Sequence, residues 1–531
     1  MNAMMEKDYY IEQLNEIGYL LSTEKDFHKV MKKILTVAKR LSNADAGTFY
    51  LMSGDGKSLQ FTAVQTDSLE INLSRAEGTL NWPNLQLYKE DGSDNDVNIS
   101  VHSAINNSLI NIADVYKSDE FDFQGPKAFD ESSGYRTTSM LVVPMQSYDD
   151  EVIGVLQLIN KKAKDNKTII PFTKADEKLI LSMSSQAAVS ITQSKLVKEL
   201  ETLLNSFIQS IADAIGEKSK YTQGHINRVA EITLLIANAI NEDKTGIYKD
   251  KFFNEEQLKE LDIAAWMHDI GKITTPEFIV DKATKLETIY DRINTLEIKF
   301  ELLKKEKELD YLKELTKQND ELKKQELKKA YEIQINQIDD EFKFLCEMNK
   351  GGEFMDDKKI DRLKKIAQYQ ITMNQKKQKI LTDNEIYNLS IKKGTLTEEE
   401  RDIINNHAKI SYDMLNALPF PKKLKNVPTI AGGHHEKING KGYPLGLKGD
   451  EISFEARILA VADIFEALTA SDRPYKDPNT LNQSAKILSY MVKDKELDKE
   501  IVKFFMEKGL YLEYAKNNLL ESQIDKVDVK F

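Results

Sequence analysis

The residues of this chain that could do chemistry are concentrated in its second half, where histidines and aspartates lie in or beside apolar segments. The whole sequence has seven histidines. "AAWMHDIGKI", "GGHHEKINGKGYP" and "VADIFEALTASDRPYK" are the clearest of these segments. A carboxylate inside an apolar helix costs several kcal/mol without a partner, so we expect a bound cation. The candidate metal ligands are His225, His268, Asp269, His407, His434, His435 and Asp463.

This ligand set is too large for one metal ion. It exceeds one octahedral shell once solvent positions are left open, and it matches two ions that share an aspartate and a water or hydroxide. Adjacent helix residues point about 100° apart, so His434 and His435 could serve different parts of one wide site. Glu436 could support an imidazole N–H from outside the ligand set.

Each of these residues also has a purely structural interpretation. One buried histidine is more often a hydrogen-bonded core residue than a metal ligand, and a single His-Asp dipeptide is a weak signal. The joint pattern, with Lys272, Arg473 and Lys476 available for phosphate, favours a metal-dependent phosphoryl site. His28 and His102 fall outside the pattern, and we interpret both as structural or surface residues.

Length and composition restrict the class of protein. A chain of 531 residues predicts two to four domains. The net charge of −12 argues against a nucleic-acid polymer as the main partner, because phosphate backbones bind surfaces rich in Lys and Arg. The single cysteine, Cys346, excludes an intramolecular disulfide and favours a reducing compartment. The N-terminus lacks a signal-peptide pattern and no apolar run approaches the ~20 residues of a membrane span, so we expect a cytoplasmic protein.

The order of helical and strand-like segments predicts two kinds of domain. In residues 1–175 a helical segment precedes the strand-like runs "SLQFTAVQ", "SMLVVPMQ" and "EVIGVLQLIN", which favours an α+β domain of one sheet with flanking helices. Apolar residues at helical spacing then predict a connecting helix over 176–210, of a kind that often pairs across a dimer axis. The remainder, 211–286 and 391–531, is predicted to be all-α.

A charged segment at 287–390 interrupts the all-α part. It is dense in Lys, Glu and Gln, and "NKGGEF" at 349–354 is its one strong turn signal. We predict an inserted, coiled-coil-like helical hairpin whose first arm of about 60 residues would be roughly 90 Å long. The charge run is more simply a solvated face than a binding surface. The flanking segments look like two ends of one loop, and Thr397 with Glu400 predicts a capping box that opens the next helix.

Five segments, in this order, resemble the motifs of the HD-GYP family, a branch of the HD-domain metal phosphohydrolases. The resemblance runs from about residue 200 to 490, without the insertion. It implies an all-α bundle with a two- or three-metal centre, usually of iron or manganese, that hydrolyses the bacterial second messenger cyclic di-GMP to pGpG or GMP. The implied ligands are the seven residues above, with Asp269 as the bridge. The segments are "YTQGHINRVAEI", "MHDIGKITTPEFIV", "GTLTEEERDIINNHAKISYDML", "GGHHEKINGKGYP" and "ARILAVADIFEALTASDRPYK".

The resemblance also implies a mechanism that agrees with the chemistry of the residues. A hydroxide bridging two metals is a nucleophile at neutral pH, and the metals absorb charge in an in-line displacement. Lys272 would stabilise a non-bridging phosphate oxygen, and Arg473 with Lys476 would hold phosphate. In this family one triplet is linked to substrate specificity and to contacts with cyclase domains; here it is Gly442, Tyr443 and Pro444.

Two positions depart from the family pattern. Asn439 stands where the family usually has Asp, which changes the charge of a loop and removes no ligand. Tyr221 stands where some three-metal members carry a carboxylate, one turn before the first histidine. Two metals are therefore expected rather than three.

The N-terminal region resembles a GAF domain. "GYRTTSMLVVPM" and "GVLQLINKK" are characteristic, and we expect Lys161 and Asp176 to form a structural ion pair. The resemblance implies a regulatory pocket for a small ligand such as a cyclic nucleotide or, equally, a dimerisation module with an empty or vestigial pocket. A motif of cyclic-nucleotide phosphodiesterase GAF domains is carried by Asn160, Lys161, Phe172, Asp176 and Glu177.

Three functions follow as hypotheses. The intact ligand set favours a GAF-regulated cyclic di-GMP phosphodiesterase. Hydrolysis does not need the insertion, which motivates a second hypothesis, a non-hydrolytic sensor that binds the messenger and signals through the insertion. The change at Asn439 motivates a third, a phosphodiesterase for another substrate such as a hybrid cyclic dinucleotide or linear pGpG. A second copy of the chain and a cyclase-domain protein are the expected protein partners.

Overall fold

The computed structural model describes residues 27–95, 97–218, 222–351, 355–472 and 478–531. The chain divides into two compact units, Met1–Leu204 and Asn205–Phe531. Among the described residues, no helix combines the length and the apolar character needed to span a bilayer.

The N-terminal unit is built on one antiparallel sheet. The strands are β1 (Ala44–Met52), β2 (Ser58–Thr66), β3 (Ile71–Ser74), β4 (Leu85–Gln86), β5 (Ile110–Ile112), β6 (Met140–Gln146), β7 (Val152–Lys162) and β8 (Ile169–Ile170). Their order in the sheet is β3-β2-β1-β7-β6-β5, with β4 beside β2 and β8 beside β7, and the central pair aligns Phe49 with Leu156.

Each face of this sheet has its own hydrophobic core, because side chains alternate along a strand. Phe49 and Leu156 lie in one core with α1 (Phe27–Ser42) and the first part of α4 (Lys174–Lys218). Tyr50 and Val155 lie in the other core with residues of α2 (Ile99–Asn106). A further helix, α3 (Gln124–Ser133), precedes β6. The predicted α+β domain of one sheet with flanking helices is confirmed. The predicted connecting helix lies within α4, which has 45 residues.

The second unit is almost entirely helical, as predicted. It begins with α5 (Thr222–Glu242) and α6 (Glu255–Met267), which pack against each other. A 3-10 turn (Ile270–Thr274) and the short α7 (Glu277–Val280) follow and lead into the insertion.

The insertion is a small folded body and not a simple hairpin. Its buried residues, among them Leu296, Phe300 and Leu345, form a separate hydrophobic cluster. Its elements are α8 (Ile293–Leu315), α9 (Glu321–Asn349), α10 (Asp357–Ile366), β9 (Gln370–Met373), β10 (Lys376–Lys379) and α11 (Asp383–Leu389).

The predicted first arm of about 60 residues is wrong. The arms are α8 and α9, of 23 and 29 residues, and the chain turns at 316–320, where the Asp320 side chain caps α9 by accepting from the N–H of Leu322. Gly351, the described glycine of the predicted turn segment, instead follows the second arm. A Cβ on Gly351 would lie 2.8 Å from the Thr395 side chain, so glycine serves close packing at the base of the insertion.

The two ends of the insertion meet, as the flanking sequences predict. Lys282, in the segment that leads into the insertion, is buried and forms an ion pair with the carboxylate of Glu400 at 2.7 Å. Thr395 donates its hydroxyl to the carbonyl of Lys282 at 3.0 Å. The predicted capping box of Thr397 and Glu400 is present. The insertion therefore leaves and re-enters the host unit at one place.

The host unit continues after the insertion with helices that enclose the chemistry-bearing residues. α15 is buried over most of its length and packs against α5. The helices are α12 (Glu398–Asn405), α13 (His407–Asn416), α14 (Val427–Gly432), α15 (Phe454–Thr469), α16 (Leu481–Lys493), α17 (Lys499–Glu507) and α18 (Leu510–Asn518).

Candidate metal centre

The structure brings all seven candidate ligands together in the second unit. They form three overlapping groups, each of which has its ligand atoms within 4.8 Å of one another. Six are buried, and the seventh, His435, is half-buried. The seven are His225 on α5, His268 at the end of α6, Asp269 before the 3-10 turn, His407 at the start of α13, His434 and His435 directly after α14, and Asp463 on α15.

Three of the histidines are oriented by the same local hydrogen bond. The Nδ1–H of His268 and of His434 donates to the carbonyl three residues earlier in the chain, at 2.6 Å in both cases. His407 makes the corresponding bond to the carbonyl of Ile404. Because a carbonyl oxygen only accepts, each Nδ1 carries the proton and each Nε2 carries a lone pair. Helix geometry thus turns three Nε2 atoms toward one centre.

These lone pairs leave the centre incomplete without a cation. The Nε2 atoms of His407 and His434 face each other at 3.5 Å. The Nε2 of His268 is buried and has no hydrogen-bond partner in the described part of the chain. Facing lone pairs repel, and a buried acceptor without a partner is costly. Imidazole nitrogens with carboxylates are a donor set that divalent transition metals take, so the residues fit a metal site.

Asp269 lies between two sets of imidazoles. Its Oδ2 is 3.4 Å from His225 Nε2 and 3.2 Å from His268 Nε2, whereas its Oδ1 is 3.1 Å from His407 Nε2. Burial opposes ionisation of Asp269, but the Lys272 ammonium and His268 outweigh it and hold the pKa of this carboxyl well below its usual range. Lys272 Nζ donates to Oδ2 at 2.6 Å. The two oxygens of this ionised carboxylate therefore face different sets of imidazoles.

The adjacent histidines at the end of α14 are neutral. Burial lowers the pKa of His434 well below its usual range, and the neighbouring His435 adds to this effect. Burial also lowers the pKa of His435 to about 3. Neutral imidazole is the form that binds metal, so both residues are ready to act as ligands at physiological pH.

A carboxylate that the sequence analysis missed orients His225. Glu466 is fully buried and accepts the Nδ1–H of His225, while Arg228 Nε donates to its other oxygen at 2.7 Å. Burial opposes charge on both partners, but their attraction prevails, raising the pKa of His225 to about 9 and lowering that of Glu466 to about 2. Glu466 lies three residues after Asp463 on α15, so its helical spacing was the available signal.

Gly271 also contributes to the centre without being a ligand. Its backbone N–H donates to Ser411 Oγ at 2.9 Å, and a Cβ at this position would lie 2.1 Å from the carbonyl oxygen of His407. Only glycine lets the 3-10 turn approach α13 this closely. The residue therefore sets the distance between Asp269 and His407.

Glu436 has a different role from the one predicted for it. Its carboxylate accepts the backbone N–H groups of Leu445, Gly446 and Leu447, at 2.6 to 3.1 Å, and so shapes the loop after the Gly-Tyr-Pro triplet. The predicted support of an imidazole N–H by Glu436 is not among the described hydrogen bonds, in which the Nδ1–H groups of four histidines donate to Glu466 or to backbone carbonyls.

The Gly-Tyr-Pro triplet lies beside the centre. The Tyr443 ring packs on the His435 ring with centroids 4.8 Å apart, and the Tyr443–Pro444 peptide bond is cis. A Cβ on Gly442 would lie 2.3 Å from the backbone nitrogen of Lys437, so a side chain does not fit there. Tight packing of the loop on its own backbone thus holds Tyr443 against His435.

Asn439 is an amide for a structural reason. Its Nδ2 donates to the carbonyl of Asp494 at 3.0 Å, and its Oδ1 accepts the N–H of Lys441 at 2.9 Å. A carboxylate could accept the second bond but could not donate the first. Asparagine in place of the aspartate usual in the family therefore allows the hydrogen bond to the Asp494 carbonyl.

Several residues named in the sequence analysis lie outside this centre. The side chain of His102 is in the N-terminal unit, against the ring of Phe121. Arg473, Lys476 and Tyr221, and the side chain of His28, lie outside the described part of the chain.

The five motif residues of the N-terminal unit hold its backbone together. Lys161 and Asp176 form the predicted ion pair, with both side chains largely buried. Asn160 accepts the N–H of Thr138 and donates to the carbonyl of Arg136, each at 2.7 Å. The two remaining residues act through Asn111, which donates to the carbonyl of Phe172 at 3.0 Å and to the carboxylate of Glu177 at 2.8 Å.

Comparison with known proteins matches both units to families. A model of the GAF domain matches residues 26–191. Two models of the HD domain match residues 222–366 and 376–501, so the metal-centre residues fall in these two matches.

Curated relatives match this chain over short segments. A cyclic di-GMP phosphodiesterase response regulator, RpfG, from Xanthomonas campestris is 42% identical over 92 residues, which are 17% of this chain and 24% of the relative. A probable cyclic di-GMP phosphodiesterase from Vibrio cholerae is 36% identical over 138 residues, 24% of this chain and 30% of the relative. A 3'3'-cGAMP-specific phosphodiesterase from the same organism is 42% identical over 98 residues, 18% of this chain and 20% of the relative. The chain therefore spans less than a third of the length of each of these relatives. The chain thus contains an HD-domain region in its second unit, with a GAF domain ahead of it.

Proposed function

We propose that this protein is a metal-dependent phosphodiesterase that hydrolyses cyclic di-GMP to pGpG or GMP. One observation carries the proposal: the buried Nε2 lone pairs of His268 and His407 face the two oxygens of the Asp269 carboxylate, an arrangement that needs cations and leaves Lys272 beside them. The curated relatives with this chemistry in their names support the choice of reaction.

Two divalent ions, iron or manganese, would be held on the two sides of Asp269. The residues on one side are His225, His268 and Asp463, and those on the other are His407, His434 and His435. When bound, such a pair supplies a nucleophile from water at neutral pH and absorbs the charge of the reacting phosphate.

The protein's own residues position the substrate and hold charge. Lys272 Nζ is partly exposed and lies 2.6 Å from Asp269 Oδ2, so it can offer positive charge to a phosphate oxygen next to the bridging carboxylate. Tyr443, packed on His435, forms one wall where a guanine base could stack. Arg473 and Lys476 would bind the second phosphate.

The first test is anaerobic purification followed by elemental analysis and a turnover assay with Fe(II) or Mn(II). We expect two metal ions per chain and metal-dependent formation of pGpG or GMP from cyclic di-GMP. His268→Ala and Asp269→Ala should abolish turnover, whereas His102→Ala, a histidine outside the centre, should leave it unchanged. Two bound metals with cyclic di-GMP bound but intact would instead support the sensor hypothesis.

The choice between cyclic dinucleotides is tested in the same assay. Because a relative named as specific for 3'3'-cGAMP also matches this chain, that dinucleotide is the appropriate competitor. We expect a higher kcat/KM for cyclic di-GMP. The reverse order would reassign the substrate but keep the reaction.

We also propose that the protein is a homodimer that pairs through α4. Apolar residues at the alternating spacing of four and three residues that a coiled coil requires are exposed on this helix, and Leu200 and Leu203 are each 64% exposed. Leu200→Glu with Leu203→Glu should give a monomer in light scattering, whereas Lys198→Glu should stay dimeric. A monomeric native protein would contradict the proposal. The stripe consists of Leu196, Leu200, Leu203 and Phe207.

The loop after the Gly-Tyr-Pro triplet is the surface that we propose for a cyclase-domain partner. Leu445 on this loop is 55% exposed next to the metal centre. Loss of cyclase binding in Leu445→Asp, with turnover retained, would support this contact, and unchanged binding would exclude it.

A further inference from the structure

The N-terminal unit contains a cavity that is large enough for a small ligand. Its volume is about 370 Å³, and it lies between the sheet, the start of α2, the region of α3 and the segment around Trp82. Volumes of this order are typical of sites for small organic molecules. The chemistry of its lining indicates which class of molecule it takes.

The lining disfavours an anion. None of the lining residues that the structure describes is Lys, Arg or His, and the charged residue among them is Asp122. Arg75, close to the Trp82 segment, donates to the carbonyls of Phe61 and Trp82 and to Asn84 Oδ1. A phosphate placed here would lose its hydration without gaining a cationic side chain. The anionic phosphate of a cyclic nucleotide would therefore meet no Lys, Arg or His in the described lining.

The lining favours a flat ring. Tyr50 and Phe61 have ring centroids 4.8 Å apart, and Phe61 meets Trp82 edge-on at 5.2 Å. On another part of the lining, Phe129 and Tyr135 meet at 6.4 Å. Aromatic side chains on several sides offer stacking and edge contacts to an aromatic ligand.

One buried polar group in the lining is poorly satisfied. Gln157 is 6% exposed, and its Oε1 accepts the hydroxyl of Tyr50 at 3.0 Å. Its amide nitrogen has a thioether sulfur, Met140 Sδ, as its acceptor at 3.0 Å. Sulfur is a weak acceptor and the amide has two N–H donors, so Gln157 can donate to a ligand oxygen or nitrogen.

We propose that this cavity binds a small uncharged aromatic or heteroaromatic molecule whose carbonyl or ring nitrogen accepts a hydrogen bond from Gln157, and not a cyclic nucleotide. The proposal concerns a second ligand of the protein and does not depend on the phosphodiesterase assignment.

The test uses two probes that share a ring system and differ in charge. The full chain carries Trp266→Phe, so that Trp82 is the remaining one of its two tryptophans. Coumarin, which is neutral and has a carbonyl, is compared with coumarin-3-carboxylate, cyclic AMP and cyclic GMP by calorimetry, and a change in Trp82 fluorescence locates the binding. We expect coumarin to bind at one site per chain at least about tenfold more tightly than any of the anions.

Two results would overturn the proposal: an anion that binds as tightly as coumarin, or no saturable binding of coumarin up to about 1 mM.

A second variant tests the hydrogen bond. Gln157→Leu keeps the size of the side chain and should weaken coumarin about fivefold or more, while naphthalene, which has no acceptor, should bind unchanged. Equal losses for both probes would contradict the role of Gln157. If the leucine variant does not fold, the comparison of coumarin with the anionic probes, which uses the protein with Gln157 intact, still tests the proposal.

Discussion

Glu466 on α15 accepts the Nδ1–H of His225 on α5, a contact between residues 241 positions apart in the chain. The same carboxylate is held from its other side by Arg228, one helical turn after His225. The pair joins the two helices that present His225 and Asp463, so it orients ligands on one side of Asp269 only.

Glu466→Gln should therefore weaken one metal site and spare the other. The amide has one acceptor oxygen and cannot accept from both His225 Nδ1–H and Arg228, and loss of such outer support typically lowers metal affinity by about 10- to 100-fold. Elemental analysis after dialysis should find one metal ion per chain in place of two. Glu177→Gln, a carboxylate in the other unit, is the control. Retention of two ions with unchanged affinity would contradict the role of Glu466.

Removal of metal should destabilise the second unit. Without cations, the Nε2 atoms of His407 and His434 face each other at 3.5 Å, and His268 Nε2 makes no hydrogen bond within the described residues. We expect chelation to lower the melting temperature of this unit and Mn(II) to restore it, since a ligand that binds only the folded state stabilises it. An unchanged thermal transition on chelation would argue against a metal centre at these residues.

Gly271→Ala should disturb the centre through the backbone. The added Cβ would lie 2.1 Å from the His407 carbonyl oxygen, so the 3-10 turn must move away from α13. This movement should lower the free energy of unfolding by about 1–3 kcal/mol. Urea denaturation and metal binding should both report the loss. Gly54→Ala is the matched control, because a Cβ there meets no heavy atom within 4 Å. Equal behaviour of the two variants would exclude the close approach as a requirement.

Asn439→Asp should destabilise the loop and leave substrate choice unaltered. The aspartate loses the bond to the Asp494 carbonyl and places negative charge against that oxygen, at a cost of about 1 kcal/mol. Denaturation at neutral pH measures this cost, and the ratio of kcat/KM values for cyclic di-GMP and 3'3'-cGAMP measures selectivity. A shift in that ratio, without loss of stability, would show that the position selects substrate.

Lys285, a residue outside the metal centre, should make the stability of the protein depend on pH. The residue is buried at the base of the insertion and donates to the carbonyl of Ile391 at 2.8 Å. Burial lowers its pKa to about 8 from 10.5. Above pH 8 the folded protein releases this proton before the unfolded chain does, so the residue's contribution to stability rises until about pH 10.5.

The comparison of native protein with Lys285→Met isolates this effect from other titrations. The difference in unfolding free energy between the two should change by up to about 2 kcal/mol between pH 8 and 10.5, in favour of the native protein. Urea midpoints followed by circular dichroism measure it. A constant difference across this range would mean that Lys285 titrates normally.

The candidate ligands were predictable because residue type and local context agree. His268 with Asp269, and His434 with His435, stand where apolar helices end, and Asp463 stands inside one. Glu466 carried only the weaker signal of its helical spacing from Asp463, and Gly271 carried none, since the role of each depends on a partner that only the folded chain brings near: His225 in one case and His407 in the other.

The insertion shows the limit of local turn signals. Its helices and its joined ends were predictable from composition and from the capping residues Thr397 and Glu400. The position of its turn was not. Gly351 marks a tertiary contact with Thr395, whereas the true turn ends at Asp320, an ordinary helix cap among many polar residues.

The contact between Lys282 and Glu400 has an evolutionary consequence. The insertion begins and ends at one point. The host segments that carry Lys272 and His407 are therefore placed as if a short loop connected them. A coding segment could have been acquired there in a single event without a change in the helices that present the histidines. Because the two ends are adjacent, a shorter homologous loop or an unrelated folded module could replace the insertion at this place.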